Sequence, residues 1–232
     1  MHFLTLQHLD IEPPALIAEA VEDAGHNLTT IRRNQGELLP SSSAGFDGII
    51  IMGGPQSAND ETADIKAEVE WVKQVLDQGK PVLGICLGAQ IMAKAVGAEV
   101  SVSPIRELGW HPVYHTTESA NDPLLKDMPD GLAVFQWHGE TFSLTEAMTP
   151  VATHPDVPAQ GFRLNRAQYG LQFHIEVDQT IIETWIAHDE SERNHLGIEG
   201  IRLLHKDTAL YLGAMQHFCR QMVLNWLEEA QQ

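Results

Sequence analysis

A chain of 232 residues, 43% hydrophobic and 20% charged, has the make-up of a globular protein that can bury a substantial core. Its 14 basic and 32 acidic residues leave a formal net charge of −18, which argues against nucleic acid or an anionic membrane surface as a partner. No apolar stretch reaches the ~18 residues of a membrane span, since Val82–Ala98 is interrupted by Gln90 and Lys94, and an N-terminus without basic residues that soon meets Asp10 and Glu12 does not read as a signal peptide.

Phe3–Leu6 is predicted to be a strand, and Pro14–Ala24 a helix with Leu16, Ile17, Ala20 and Val21 on one face. A second strand follows at Asn27–Ile31, and the Gly-, Pro- and Ser-rich segment 34–45 reads as a loop. Gly48–Met52 is a continuous apolar run, as in a buried parallel strand, and it empties into Gly53-Gly54-Pro55. Asp60 or Thr62 is placed to cap a helix that runs to about Gln78. Val82–Ile85 is another buried run, followed by a helical pattern over Leu87–Val96. Strands separated by helices in this rhythm imply a parallel sheet with crossover helices. The second half changes texture: Gly109–His115, Ala133–Trp137, Val151–Thr153 and Tyr169–His174 read as strands with little helix between them. Helices are predicted at Asp178–Asp189 and from about Thr208 to Glu229. The expectation is a single α/β domain over residues 1–232, with a mostly parallel sheet flanked by helices and an antiparallel extension.

Two cysteines far apart give no disulfide framework, and a reducing, cytoplasmic compartment is the expectation. Their settings differ. Cys86 lies in Gly84-Ile85-Cys86-Leu87-Gly88-Ala89-Gln90, between a buried strand and a helix. The G-x-C-x-G pattern is the cysteine form of a nucleophile elbow. Such a turn holds its nucleophile in a strained backbone, and the flanking glycines let strand and helix approach closely. The positive helix end favours a thiolate, and the Leu87 N–H is free to face an oxyanion. The alternative is a buried core cysteine, which is how Cys219, inside a helical pattern without nearby glycine, is read.

A cysteine hydrolase needs an imidazole to move the proton. Of 12 histidines, His174 stands at the end of the apolar run Leu171–Phe173, with Glu176 two residues on. On an extended backbone both side chains point the same way, so the carboxylate can fix the ring's tautomer. The Met52–Ser57 loop exposes backbone N–H groups at the sheet's carboxyl edge, and the Gly54 amide is a candidate for the second oxyanion donor. Without a G-K-[ST] ending it is not a phosphate-binding loop. His188, Glu192 and His195 have i, i+4, i+7 spacing, but Ser191–Asn194 reads as a solvated stretch rather than part of a metal site.

Four segments together resemble the class I glutamine amidotransferases, and among them the free-standing GMP-synthase-like members: Gly53-Gly54-Pro55, Gly84–Gln90, Gln136-Trp137-His138-Gly139-Glu140 and Gln172-Phe173-His174-Ile175-Glu176. The resemblance implies a flavodoxin-like fold. It implies that Cys86 attacks the side-chain amide of glutamine and forms a γ-glutamyl thioester, that His174 moves the proton and that Glu176 orients it. It further implies an oxyanion site at Gly53-Gly54 and Leu87, contact of Gln90 with bound glutamine, and a role for the backbone around Trp137 and His138 in holding the substrate's α-amino and carboxylate ends. His138 is read as lining the substrate site rather than as the base. Ile175 stands where many family members have proline, and no S-G-G-x-D-S motif is present. Three readings follow: a glutaminase that hands ammonia to a separate synthetase subunit, a free-standing hydrolase of γ-glutamyl peptides, and a non-catalytic regulatory module. No metal or organic cofactor is expected. Residues 190–232 carry no motif.

Overall fold

The computed structural model describes residues 1–232, the side chain of Ala120 apart. Its strands are β1 (His2–Gln7), β2 (Asn27–Arg32), β3 (Gly48–Ile51), β4 (Val82–Ile85), β5 (Val100–His115), β6 (Leu132–Phe142), β7 (Thr149–Thr153), β8 (Gly161–Arg163) and β9 (Gln168–Leu171). Its helices are α1 (Ala15–Asp23), α2 (Ala63–Asp77), α3 (Leu87–Ala95), α4 (Gln179–His188) and α5 (Glu190–Ala230). The strands form one sheet in the order β2-β1-β3-β4-β9-β8-β7-β5-β6. The first five run parallel, in the 2-1-3-4-5 arrangement of a flavodoxin-like fold, with β9 as the fifth strand. From β9 to β6 every pairing is antiparallel, which is the extension read from the sequence.

The central strands are buried on both faces, as the unbroken apolar runs require. Successive residues serve opposite layers. Phe3, Ile50 and Leu83 pack with Leu16 and Ile17 of α1, Trp185 of α4 and Phe218 and Trp226 of α5. Leu4, Ile49, Ile51 and Val82 pack with Trp71 and Val75 of α2 and Met92 of α3. Thr62, not Asp60, caps α2, accepting from the Ile65 N–H at 3.3 Å. Asp178 caps α4 in the same way at 2.8 Å.

The departures from the sequence reading lie in the second half. β5 begins nine residues before Gly109, because Ser101, Ser103, Pro104 and Arg106 mask the pattern, and the β5–β6 pairing shifts register between Val102 and Glu107. The three-residue β8 was not expected. The β9 ladder stops at Leu171, and His174 instead makes an isolated bridge to Phe135. The C-terminal helix starts at Glu190 rather than Thr208. Gly197, at φ 62° and ψ −177°, breaks it into a short first segment and a long second one. Among the described residues no helix is long and apolar enough to cross a membrane.

Candidate active site

The loops after β1, β3, β4 and β9 meet at the carboxyl edge of the sheet, where ligands bind in open α/β folds. They line one cavity of about 640 Å³, which Gly54, Cys86, Leu87, Gln90, Trp137, His138 and His174 all border. Gly53 and Glu176 are the two residues of the proposed site that do not border it directly.

Cys86 follows β4 and precedes α3, at φ 50° and ψ −106°. Positive φ is costly for a residue with a side chain, so the surroundings must hold it. Its N–H donates to Leu171 O at 2.8 Å, and its carbonyl accepts from Gln90 N at 3.0 Å. Gly88 makes the elbow possible: a Cβ there would lie 2.1 Å from the Ile51 carbonyl oxygen. Only 8% of Cys86 is exposed, and the exposed part faces the cavity. Cys219, by contrast, is buried on α5, and burial drives its thiol far up from the usual range.

His174 and Glu176 are both buried, with Nδ1 and Oε1 at 2.7 Å. The Nδ1–H donates to the carboxylate, which leaves Nε2 without a protein partner among the described residues, and the His174 ring edge and Cys86 Cβ flank the same point beside Gly53. The Trp185 ring packs edge-on against the imidazole at 4.7 Å, and the His174 N–H donates to Phe135 O at 2.8 Å. Burial opposes a charge on this imidazole, but Glu176 and Cys86 outweigh it and hold His174 well above its ordinary value. A protonated imidazole beside the sulfur is the state that can hand a proton to a leaving amine.

The Gly54 and Leu87 amides have no backbone acceptor among the described residues, which leaves both available to an oxyanion. The Gly53-Gly54 turn is held from behind by His8. Its Nδ1–H donates to the carbonyls of Met52 and Gly53, each at 3.1 Å, and its Nε2–H donates to Glu68 at 2.7 Å. Arg33 reaches the other Glu68 oxygen at 3.1 Å. Burial alone would lower the His8 value; the contacts to Glu68 and the Gly53 carbonyl raise it on balance.

The far wall is built on β6. Gln90 Nε2 donates to Glu140 O at 3.1 Å and to Gln172 Oε1 at 3.2 Å, and Gln172 Nε2 reaches Cys86 Sγ at 3.7 Å. The Gln90 amide nitrogen is therefore committed to the protein, and only its oxygen is left for a ligand. His138 is enclosed by acceptors: Glu140 O at Nδ1, and Gln136 Oε1 and Glu107 Oε2 at Nε2. The direction of this network is fixed, because Gln160 Nε2 donates to Glu107 at 2.8 Å and its oxygen accepts from Gln136 Nε2 at 2.7 Å. Although burial works against it, the His138 and Gln160 contacts keep the Glu107 carboxyl below the usual range. Trp137 Nε1 donates to Asp189 at 3.1 Å.

Sequence reasoning missed His8, Glu12, Glu68 and Glu107, each isolated from any motif. Glu68 sits among the hydrophilic residues of α2, and its complete burial is the signal that no spacing carried. The i, i+4, i+7 set does not form, because the chain breaks between α4 and α5 at Asp189; no group of metal ligands is present among the described residues. Glu192 instead pairs with Arg106 across the cavity mouth at 3.0 Å.

The family model for glutamine amidotransferase class-I matches residues 13–191. The chain belongs to the class I glutamine amidotransferases. This amidotransferase is 31% identical over 197 residues to the glutamine amidotransferase-like protein YfeJ of Salmonella typhimurium, covering 83% of this chain and 82% of that one. It is 35% identical over 141 residues to the GMP synthase of Porphyromonas gingivalis, a match that takes in 60% of this chain and only 26% of the synthase. Among solved structures, a glutamine amidotransferase of Thermotoga maritima superposes with a TM-score of 0.87 at 30% identity, over 98% of each chain. One from Methylobacillus flagellatus, at 23% identity, shares the fold with the same score over 98% of this chain and 94% of that one.

Proposed function

We propose that this protein hydrolyses γ-glutamyl amides through a thioester on Cys86, with glutamine as the simplest substrate and glutamate and ammonia as products. The Cys86 thiolate attacks the γ-carbonyl carbon, and the new oxyanion takes the Gly54 and Leu87 N–H groups. The C–N bond then breaks as His174 gives its proton to the departing nitrogen. Water enters, His174 takes one of its protons, the resulting hydroxide attacks the thioester, and the C–S bond breaks to return the thiolate and release glutamate. Glu176 holds the imidazole in the required tautomer throughout. Gln90 and the Trp137–His138 backbone hold the glutamyl end. No step calls for a metal or an organic cofactor. A free thiolate as nucleophile suits a reducing compartment such as the cytoplasm.

The observation that carries this reading is the alignment of a strained Cys86 with the His174–Glu176 pair at one cavity wall. The test is turnover of glutamine and a γ-glutamyl dipeptide panel by the full chain and by Cys86→Ala. Cys86-dependent release of glutamate supports it; no release, together with no labelling of Cys86 by a γ-glutamyl electrophile in folded protein, overturns it.

A second reading has a specific support. The GMP synthases are matched over about a quarter of their length, so a separate synthetase subunit could accept the ammonia. Slow glutamine turnover that rises when such a subunit is added would favour it. The cavity favours the free-standing reading, because about 640 Å³ falls in the range that houses ligands larger than glutamine.

A further inference from the structure

Glu12, on the loop between β1 and α1, stands beside the groups proposed to react. One point fixes its place. A Cβ added to Gly53 would lie 2.6 Å from Glu12 Oε2, 3.0 Å from His174 Cε1 and 3.6 Å from Cys86 Cβ. The carboxylate thus stands beside the imidazole edge and the nucleophile, and it borders the same cavity.

Its bonding is unfinished. The Glu12 N–H donates to Leu9 O, but neither side-chain oxygen has a hydrogen-bond partner among the described residues. The charged groups around it are His174, Glu176, His8 and Asp189. Both imidazoles already have their own carboxylates, Glu176 and Glu68, and Asp189 adds negative charge. Burial pushes the Glu12 carboxyl up to about 7, ahead of the opposing pull of His174. Glu12 is partly buried, and a carboxylate partly shielded from water without a cation is disfavoured, a cost that a ligand cation would offset.

Resting on the proposed hydrolysis, His174 gives its proton to the departing nitrogen, so the amine half lies beside the imidazole edge that Glu12 also faces. We infer that Glu12 selects the leaving group, and that the preferred substrates are γ-glutamyl amides whose amine half carries a cationic group. The C–N bond broken and the proton moved are those of the proposed reaction; Glu12 contributes a charge contact and no covalent step.

Three probes of matched length test this: γ-N-(4-aminobutyl)glutamine, its uncharged pentyl counterpart and the corresponding ω-carboxylate. The full chain should favour the cationic amide over the neutral one by about tenfold in kcat/KM, with the carboxylate the poorest. Glu12→Gln should bring the cationic-to-neutral ratio to within about twofold, and Glu12→Lys should move the preference toward the carboxylate. A folding defect lowers all three rates together and leaves the ratios alone, so the ratios report the contact itself. Cleavage of all three at similar rates by the wild type, or a ratio unchanged in Glu12→Gln, overturns the inference and leaves γ-glutamyl hydrolysis standing. Cys86-independent cleavage, or none of any γ-glutamyl amide, overturns both.

Discussion

His8 Nε2 lies 2.7 Å from Glu68 Oε1, with both side chains out of water, and the opposite ring nitrogen of His8 holds the carbonyls of Met52 and Gly53. A charge pair in helix α2 thereby sets the backbone of the loop after β3. Glu68→Ala leaves His8 and Arg33 without their carboxylate. A loss of about 3–5 kcal/mol is expected, read as a lower midpoint in denaturant. The His8 value is raised in the folded state, so its contribution is complete below its ordinary value of 6.5 and fades as pH climbs through the folded one. The gap between wild type and variant should therefore be wider at pH 6 than at high pH.

Glu176→Gln keeps the shape but offers the imidazole an amide that can donate to Nδ1, which promotes the wrong tautomer. kcat for a γ-glutamyl substrate should fall ~10³- to 10⁴-fold with little change in KM. A rise in KM with kcat unchanged would instead point to a binding role.

Much of this site was legible in the sequence, and the reason is local. Cys86 sits between two glycines whose spacing reports a sharp turn, and His174 and Glu176 are two residues apart on an extended segment. Each of those patterns forms from neighbouring residues, so the chain order preserves it. The parallel half of the sheet was readable on the same ground, because strands buried on both faces show as plain apolar runs. Glu68, Glu107 and Glu12 obey no such rule. Glu107 meets His138 only because β5 and β6 pair after a register shift, and that shift is decided by tertiary packing. The early half of β5 was hidden for a related reason: Val102 and Ile105 face outward while Ser103 and Glu107 are buried, and Pro104 interrupts it. The start of α5 was hidden by Gly197 and Gly200, which lower helix propensity where the tertiary fold nevertheless keeps a helix.

Glu107→Gln should act on substrate binding. One oxygen, Oε2, accepts from His138 and Gln160 at once, and an amide in its place keeps the shape but replaces a charged acceptor with a weaker neutral one. KM for glutamine or a γ-glutamyl peptide should rise roughly tenfold, with kcat changed less than threefold, the scale of one disrupted hydrogen bond to a charged group. Steady-state kinetics separates the two parameters.

Gly88→Ala drives a methyl group into the Ile51 carbonyl oxygen, a backbone atom that cannot swing away. The variant should lose activity and at least about 2–3 kcal/mol of stability. Gly84, whose added Cβ would meet Met92 Sδ at 2.6 Å as well as the Gly88 backbone, should behave in the same direction. Thermal unfolding beside Cys86→Ala separates this loss of fold from loss of the Cys86 thiol alone.

Glu12→Gln carries a second signature in stability. The Glu12 carboxyl rises from 4.5 to about 7 on folding, chiefly through burial, with Glu176 and Asp189 adding to the rise and His174 and His8 opposing it. Between these values the folded protein binds the proton more tightly than the unfolded chain, so wild-type stability declines as pH rises through the window. The variant lacks that decline. It should match or trail the wild type near pH 4 and exceed it by on the order of 2–3 kcal/mol above pH 8, measured by urea unfolding across pH.

The segment from Asp189 to Gly197 has an end on each side. Asp189 caps its first turn and holds Trp137, and Gly197 releases it from the long helix behind. Between them lie Glu190 and Glu192 at the cavity mouth, while Cys86, His174 and the Gly54 and Leu87 amides all follow strands of the central sheet. The chemistry is thus written into the part of the molecule that cannot change without unfolding, and the entrance into a short interchangeable piece. Grafting a different seven-residue rim between the same two joints is a route to new substrates that leaves the reaction itself intact.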